Sequence, residues 1–262
     1  MLEILITNDD GINSSGLHNL SESLNSLGNV TVVAPAKDQS GIGAAITLRK
    51  RIRVHPIKFP VPSVNAFSVE GTPGDCVILA IETLMKESPD LIISGINRGA
   101  NMGLDIFLSG TVGAALQGYF RNIPSIAVSI ASLEEICYDA AVQTTNSLTR
   151  NINDCTLPTP FLLNINLPNQ RLENLAGIEI TSLAYRAFLG QVEEQNDGVN
   201  THYLINLNRP NNAPIQKGTD VWAVNNKRIS ITPIEDLFLA GLHSNNFDCL
   251  INEVSNDLGI GS

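Results

Sequence analysis

Residues 5–16 read Leu-Ile-Thr-Asn-Asp-Asp-Gly-Ile-Asn-Ser-Ser-Gly, so an apolar strand runs directly into two adjacent carboxylates. The apolar residues before Thr7 suit a buried parallel strand, and the Asn8–Gly11 segment has the composition of a turn. Ligands of open α/β sheets bind at the carboxyl ends of the strands. This stretch therefore predicts an α/β fold and also the edge of the sheet at which a site would lie.

The two carboxylates of this segment, Asp9 and Asp10, repel each other, and no Lys or Arg lies within the motif. A hard divalent cation is one way to neutralise such a pair. The other interpretation is that one carboxylate caps the following helix while its neighbour faces water, because Asp is common in turns. The segment alone leaves both interpretations open.

Short apolar runs alternate with amphipathic helical patterns up to about residue 183. The predicted strands after the first lie at 30–33, 91–94, 124–130 and 161–167, and the predicted helices begin after Ser14, at Thr72, at Thr111 and after Ser132. Gly28 is expected to end the first helix, and Thr72 with Asp75 has the spacing of a capping box. This alternation predicts βαβ units and a mostly parallel sheet.

The composition changes after Leu183. Residues 184–220 are polar and are expected to be loop-like, and a β-hairpin is expected from 221–224 and 229–231 across Asn225-Asn226. One interpretation of this arm is an element that exchanges between subunits or covers the active site. The other interpretation is a solvent-exposed segment outside the core, and the sequence does not decide between the two interpretations.

The overall composition narrows the class of protein. The chain has 262 residues with a formal net charge of -10, and its four cysteines (Cys76, Cys137, Cys155 and Cys249) form no C-x-x-C pair. The negative charge argues against binding to duplex or long single-stranded nucleic acid. Without a basic leader, a spanning apolar run or paired cysteines, the chain is expected to be a cytoplasmic α/β protein that does not bind membranes.

Three further loops are predicted to follow strands of the same sheet. They contain Ser40-Gly41, the pair Asn97 and Asn101, and Ser109-Gly110-Thr111. The last opens a helix, where backbone N–H groups and the helix dipole favour an anion, and Gly110 would allow a phosphate to approach closely. The alternative is that Ser109 only caps the helix. Neither a Walker A loop nor a Gly-x-Gly-x-x-Gly after the first strand is present.

The candidate ligands share one property, which is that every donor atom is oxygen. Carboxylates, a hydroxyl and an amide suit magnesium or manganese better than zinc, which prefers thiolate and imidazole. The four histidines share no zinc-binding spacing.

Several segments in the same order together resemble the SurE survival-protein family. They are Asn8-Asp9-Asp10-Gly11, Val33-Ala34-Pro35, Ser40-Gly41, Gly71-Thr72-Pro73-Gly74-Asp75-Cys76, Pro89-Asp90-Leu91, Ser94-Gly95-Ile96-Asn97, Ser109-Gly110-Thr111-Val112-Gly113-Ala114, Leu163-Asn164-Ile165-Asn166-Leu167-Pro168, Thr219-Asp220 and Ser230-Ile231-Thr232-Pro233. The resemblance implies a metal-dependent nucleotidase that hydrolyses nucleoside 5′- and 3′-monophosphates and also short polyphosphate. It further implies a single domain over 1–262, with a Rossmann-like three-layer core at 1–183. A C-terminal hairpin, arm and tail at 184–262 would assemble a homodimer or homotetramer.

The resemblance also implies roles for particular residues. One Mg²⁺ or Mn²⁺ per subunit would be held by Asp9, Asp10, Ser40 and Asn97, the two aspartates being catalytic; phosphate and substrate would meet Asn97, Asn101, Ser109, Gly110 and Thr111. This chain departs from the family at Ile42–Ala45, which is often polar, and at Leu108, which is often aromatic. The first departure is expected to alter substrate contacts near the metal.

Three alternatives to hydrolysis by a water molecule remain. Asp9 or Asp10 could act as a covalent nucleophile, although the Asp-x-Asp spacing of haloacid-dehalogenase phosphatases is absent. A receiver domain also holds magnesium on paired acids, but here the strand segment that begins at Leu91 ends in Ser94-Gly95, with no phosphoacceptor. A sugar-nucleotide transferase would usually carry Asp-x-Asp late in the sheet. Release of inorganic phosphate from a nucleotide would distinguish a nucleotidase from a receiver domain and from a sugar-nucleotide transferase.

Overall fold

The computed structural model describes residues 1–152, 160–185, 188–198, 200–210 and 214–234. Its strands are β1 (Leu2–Thr7), β2 (Gly28–Pro35), β3 (Val54–Ile57), β4 (Asn65–Val69), β5 (Leu91–Arg98), β6 (Ser125–Ile130), β7 (Leu162–Leu167), β8 (Gly177–Ile180), β9 (Phe188–Asn196), β10 (Thr201–Pro210) and β11 (Arg228–Pro233). Its helices are α1 (Ser15–Leu24), α2 (Pro73–Leu79), α3 (Gly110–Tyr119), α4 (Asp139–Asn151) and α5 (Asp220–Asn225).

The main sheet has the strand order β3-β4-β2-β1-β5-β6-β7-β11-β8. The six strands from β4 to β7 run parallel to their neighbours. Strand β3 is antiparallel to β4 at one edge, and β11 is antiparallel to β7 but parallel to β8 at the other. The prediction of an α/β fold with a mostly parallel sheet is therefore confirmed.

Helices cover both faces of this sheet. Alternate residues of β1 show the division, because Ile4 and Ile6 pack in one apolar cluster with Leu17 of α1 and Ala140 of α4. Leu5 faces the opposite way, into a cluster with Val77 of α2 and Ala114 of α3. A strand whose two faces are both buried in this way belongs to the middle of three layers. No helix in the described ranges has the length and apolar character needed to cross a membrane.

The predicted N-terminal caps of three helices are present. The Ser14 hydroxyl accepts a hydrogen bond from the Leu17 N–H at the start of α1. The Thr72 and Asp75 side chains form a reciprocal capping box at α2. Ser109 caps α3. These caps are local, because donor and acceptor lie within three residues of each other, which explains why they could be predicted.

Two predicted helix boundaries are wrong. The first helix ends at Leu24, and Gly28 is instead the first residue of β2, where an added Cβ would lie 2.3 Å from the Leu2 carbonyl oxygen. Ser132 does not cap a helix, since its hydroxyl bonds to the backbone of Glu134 in a local turn. The helix itself, α4, begins at Asp139.

Strands β3, β4 and β8 had no counterpart in the sequence prediction. They are four or five residues long and lie at or next to the edges of the sheet. An edge strand has no neighbouring strand on one side and is partly exposed to solvent there. It therefore needs fewer apolar residues and tolerates Pro, as Pro56 in β3 illustrates, so its sequence pattern is weak.

The hairpin expected across Asn225-Asn226 is wrong. Thr219 accepts a hydrogen bond from the Trp222 N–H and starts α5 at Asp220, so the first half of the supposed hairpin is helical. The second half is β11, which lies between β7 and β8 in the main sheet. The expected boundary of the core at residue 183 is contradicted as well, because the sheet is completed by β11.

A C-terminal hairpin exists, but it lies in the stretch that was expected to be loop-like. Strands β9 and β10 form an antiparallel ribbon in which Val192 is paired with Ile205. Those two side chains and that of Tyr203 are exposed. Val192 is surrounded in β9 by Gln191, Glu193, Glu194 and Gln195, and β10 is interrupted by Asn and Arg, so the stretch is polar on average and lacks the regular alternation that marks a strand.

Candidate metal and phosphate site

The carboxyl ends of three adjacent strands bring the predicted metal ligands to one edge of the sheet. Asp9 and Asp10 follow β1, Ser40 lies in the loop after β2, and Asn97 lies near the end of β5. The order β2-β1-β5 makes these strands direct neighbours. The Gln39 N–H donates to the Asp9 carbonyl oxygen at 2.8 Å and so ties the loop of Ser40 to the end of β1.

Asp9 is the buried member of the carboxylate pair, with 3% of its surface exposed. The Thr111 hydroxyl donates to Asp9 Oδ1 at 2.6 Å. Gly110 lies against the same carboxylate, because a Cβ added there would be 2.9 Å from Asp9 Oδ2. The N-terminus of α3 therefore abuts Asp9 directly.

Asp10 is partly exposed, and its Oδ2 accepts a hydrogen bond from the Arg98 N–H at 3.3 Å. Burial, followed by the charge of Asp9, raises the pKa of Asp10 to about 6. Burial also raises the pKa of Asp9, against the lowering effect of its hydrogen bonds to Thr111. The fold thus holds two carboxylates in a place that penalises their charge, and a bound cation would remove this penalty.

Asp38 is a part of this site that was not predicted from the sequence. Its charge contributes to the raised pKa values of both Asp9 and Asp10. Its Oδ1 accepts a hydrogen bond from the Ser40 N–H at 2.7 Å, which shapes the loop that carries Ser40. The available signal was its position two residues before Ser40, where an Asp side chain commonly closes a turn on the backbone.

The two neutral predicted ligands differ in their surroundings. Ser40 is exposed, whereas Asn97 is buried beside a β-bulge between Ser94 and Asn97. The Asn97 Nδ2 donates to the Gly99 carbonyl oxygen at 2.8 Å, so the amide oxygen is the atom that can coordinate a cation. This orientation matches the expected all-oxygen donor set, which suits Mg²⁺ or Mn²⁺.

No group of three His, Cys, Asp or Glu side chains suited to a metal occurs in the part of the chain that the structure describes. A cation at this edge would therefore rest on two carboxylates and neutral oxygens.

The predicted phosphate-binding residues at α3 have partners within the protein. Ser109 Oγ accepts from the Val112 N–H at 3.1 Å, so the alternative role of helix cap is realised. The Thr111 hydroxyl is engaged by Asp9, and both side chains are buried. At Gly110 the backbone, without a side chain, lies directly against the Asp9 carboxylate. Direct contact of Ser109 and Thr111 with phosphate remains a prediction.

Asn101 is fixed inside the core. Its Nδ2 donates to Ser129 Oγ on β6, and its backbone N–H donates to Asn166 Oδ1 on β7. Its carbonyl oxygen accepts from the side chains of Asn164 and Asn166. These bonds anchor the start of the loop that leads to α3, and contact of Asn101 with substrate stays a prediction.

Asp220, which was not predicted as a site residue, anchors the same loop from the C-terminal part of the chain. It is fully buried, and its carboxylate accepts from the Gly103, Ala184 and Val221 N–H groups at 2.7, 2.9 and 2.7 Å. Burial raises its pKa despite these bonds. Thr219-Asp220 has the composition of a helix start, although it lies at the end of the 184–220 stretch that was expected to be loop-like.

A cleft of about 460 Å³ lies beside Asp10 on the α1 and α4 side of the sheet. Its walls include Asp38, Arg98, Glu135 and Tyr138. Larger cavities occur elsewhere, but they are lined by residues such as Met1 and Asn29 at the opposite, amino ends of the strands.

Comparison with known proteins identifies a matching family and a similar fold. A family model described as survival protein SurE matches residues 4–190. The 5′-nucleotidase SurE of Dehalococcoides mccartyi is 42% identical over 237 residues, which cover 90% of this chain and 89% of that protein. The 5′-nucleotidase SurE of Heliobacterium modesticaldum is 38% identical over 262 residues, with 100% and 93% covered. The crystal structure of SurE protein from Aquifex aeolicus has a TM-score of 0.74 at 36% identity and covers 88% of this chain and 92% of that one.

Proposed function

This chain belongs to the SurE family and is a 5′-nucleotidase, and from that premise we propose that it hydrolyses nucleoside monophosphates with one divalent cation per subunit. The observation that carries the proposal is the contact between Asp9, the buried member of the carboxylate pair, and the start of α3. Asp9 and Asp10 share an edge with neutral oxygen donors, and the backbone at Gly110 lies against Asp9. Cation and phosphate would thus be neighbours.

Asp9, Asp10, Ser40 and Asn97 would hold the cation. When bound, Mg²⁺ or Mn²⁺ would polarise a phosphoryl oxygen and favour ionisation of the attacking water. The chain's own groups divide the remaining work. Thr111 orients Asp9 through its hydroxyl, and the N–H groups at the start of α3 would stabilise charge on the phosphoryl oxygens. Water is preferred to Asp9 or Asp10 as the nucleophile, because each carboxylate is needed as a ligand.

Phosphate release from nucleoside 5′-monophosphates, with and without chelator, tests this proposal. We extend the proposal to 3′-monophosphates and short polyphosphate, whose terminal phosphoryl groups present similar oxygens, and the same assay with each substrate tests the extension. We also propose a cytoplasmic enzyme, since a reducing compartment suits the free thiols of Cys76 and Cys137. Full turnover in excess chelator would contradict the role of the cation.

Mg²⁺ or Mn²⁺ is expected to stabilise the protein at pH 7.5 and to do so less at pH 5. Since the pKa of Asp10 is raised from 3.8 to about 6, the stability that this group contributes is present below its unfolded pKa. That stability is lost as the pH rises through about 6, and a cation restores it. At 100 times the Kd, mass action predicts a rise in Tm of about 5–10 °C.

Thermal denaturation with and without cation measures this shift independently of activity. Asp9→Asn is expected to abolish the shift, while Asp139→Asn, an exposed Asp in the first turn of α4, is expected to retain it. An equal shift in Asp9→Asn and in the wild type would place the cation elsewhere.

We also propose that the chain forms a homodimer or homotetramer through its C-terminal elements. The hairpin of β9 and β10 exposes Val192, Tyr203 and Ile205. A two-stranded ribbon is marginally stable in water unless another surface covers it. Because an identical element can be exchanged between protomers at low cost, a second copy of the chain is the simplest cover.

Light scattering at micromolar concentration is expected to give a mass of two or four times 28.1 kDa. The double substitution Val192→Ser and Ile205→Ser, which removes a cross-strand apolar pair, is expected to shift the mass toward the monomer. Leu133→Ser is the control, because Leu133 is exposed but lies outside the hairpin. A wild-type mass of 28.1 kDa would refute the proposal.

A further inference from the structure

An exposed apolar patch borders the phosphate side of the candidate site. It consists of Ile42, Phe107 and Leu108, with exposed fractions of 38%, 65% and 43%. Exposed single apolar residues are common, but a contiguous group beside a polar site usually marks a binding surface. The groups that would meet the cation or the phosphate are carboxylates, amides and hydroxyls. The three side chains of the patch are apolar and are suited to a different part of the substrate.

The patch is joined to the site through the start of α3. A Cβ added to Gly110 would lie 3.1 Å from Ile42 Cγ2 and 2.9 Å from Asp9 Oδ2, so Gly110 stands between the patch and the carboxylates. The Gly43 N–H donates to the Leu108 carbonyl oxygen at 2.9 Å and holds the two segments of the patch together. A group bound over Gly110 therefore has the patch as its apolar neighbour.

The loop that carries Ile42 is held in place by α2. The Thr72 hydroxyl donates to the Ala45 carbonyl oxygen at 2.7 Å. The Thr47 N–H and hydroxyl donate to the Asp75 carboxylate at 2.7 and 2.6 Å. These bonds connect the loop to the capping box of α2. The patch is thus ordered before any ligand arrives, which lowers the entropic cost of binding to it.

We propose that Ile42, Phe107 and Leu108 form the surface on which the nucleobase of the substrate rests. The inference depends on the proposed function, because it requires the phosphate to lie at Gly110. A base has an apolar face that gains free energy by stacking on an aromatic ring, and this recognition tolerates every base. The patch therefore favours nucleotides over phosphomonoesters without a base, with little preference among bases.

The cleft beside Asp10 is the competing location for the base. It lies on the α1 and α4 side of the sheet, whereas α3 and Gly110 lie on the other side. Its walls carry charged side chains, including Arg98 and Glu135, and Tyr138 is its aromatic residue. A phosphate at the start of α3 leaves the patch as the nearer surface for the rest of the nucleotide.

The test compares kcat/KM for AMP with kcat/KM for ribose 5-phosphate, which lacks the base. Phe107→Ala is expected to lower the AMP to ribose 5-phosphate ratio about tenfold, and Phe107→Tyr to restore it, since the ring is retained. Phe120→Ala is the matched control, because Phe120 is 58% exposed at the far end of α3. Tyr138→Ala tests the competing cleft.

The outcomes separate the inference from the proposed function. A lowered ratio in Phe107→Ala, with Phe120→Ala and Tyr138→Ala near the wild-type value, supports the patch. A ratio that is unchanged in Phe107→Ala, or that falls in Tyr138→Ala instead, overturns the inference while hydrolysis by the wild type upholds the function. A wild-type enzyme that releases phosphate from neither substrate overturns the proposed function and the inference with it.

Discussion

Asp10→Asn is expected to lower kcat/KM for nucleoside 5′-monophosphates by about 100-fold or more, because loss of a charged ligand removes several kcal/mol of transition-state stabilisation. The substitution keeps the size of the side chain and an oxygen that can accept from the Arg98 N–H. It removes a carboxylate whose pKa is raised by burial and by Asp9. Above pH 6 the metal-free variant should therefore be at least as stable as the metal-free wild type.

The opposite signs of these two effects make the prediction specific. Steady-state kinetics would measure the loss of activity, and denaturant unfolding in chelator would measure the free energy of unfolding. Asp139→Asn provides the same chemical change at an exposed position of α4 and should alter neither quantity appreciably. If Asp10→Asn were fully active, or if its activity fell only because the protein unfolded, Asp10 would not be a metal ligand.

Gly110→Ala is expected to lower kcat/KM by about 10²–10³-fold. This is the loss typical of removing one hydrogen-bond donor, here a backbone N–H at the start of α3, from the negative charge that develops in the transition state. A Cβ at this position would lie 2.8 Å from Asp9 Cβ and 2.9 Å from Asp9 Oδ2. Asp9 cannot turn away easily, because Thr111 holds its other oxygen at 2.6 Å. Even one methyl group would therefore displace a ligand and cover the backbone that phosphate approaches. Gly110→Val should be more damaging still.

Gly190→Ala is a matched control for this change. Gly190 lies on β9, and an added Cβ would meet only the end of the Ile205 side chain, at 3.3 Å. Kinetics of the two variants should differ widely, and binding of inorganic phosphate as a competitive inhibitor should weaken in Gly110→Ala alone. Equal losses in both variants would mean that the start of α3 is an ordinary capped helix end.

The parts of the fold that could be predicted from sequence depend on contacts between residues close in the chain. The cap of Ser14 on Leu17 and the capping box of Thr72 and Asp75 each span three residues, and the fold has both. The buried central strands are near-continuous apolar runs. The errors occur where local signals are ambiguous. Val221–Val224 is apolar enough for a strand, yet Thr219 and the buried position of Asp220 make it helical.

The candidate site shows the same division. Paired aspartates after an apolar strand and a small residue at a helix start are visible in the sequence, because strand ends and helix starts have local signatures. Asp38 was not predicted because a turn-forming Asp two residues before Ser40 has the same local pattern with or without a site, and Asp220 was not predicted because its partners are distant in the chain. The Asp220 carboxylate accepts a hydrogen bond from the Gly103 N–H, 117 residues away in the chain, and no local sequence pattern predicts such a contact.

The sequence by itself determined the five strands β1, β2, β5, β6 and β7 in their chain order with helices between them, the side-by-side placement of Asp9 and Asp10, and an all-oxygen set of candidate ligands. Tertiary structure decided which face of each strand and helix is buried in the core. It set the contact of Gly110 and Thr111 with Asp9, the raised pKa of Asp10, the insertion of β11 into the sheet and the apolar patch beside Gly110. The physical reason is that burial and close approach depend on the packing of segments that are distant in the chain, whereas caps and strand periodicity depend on near neighbours.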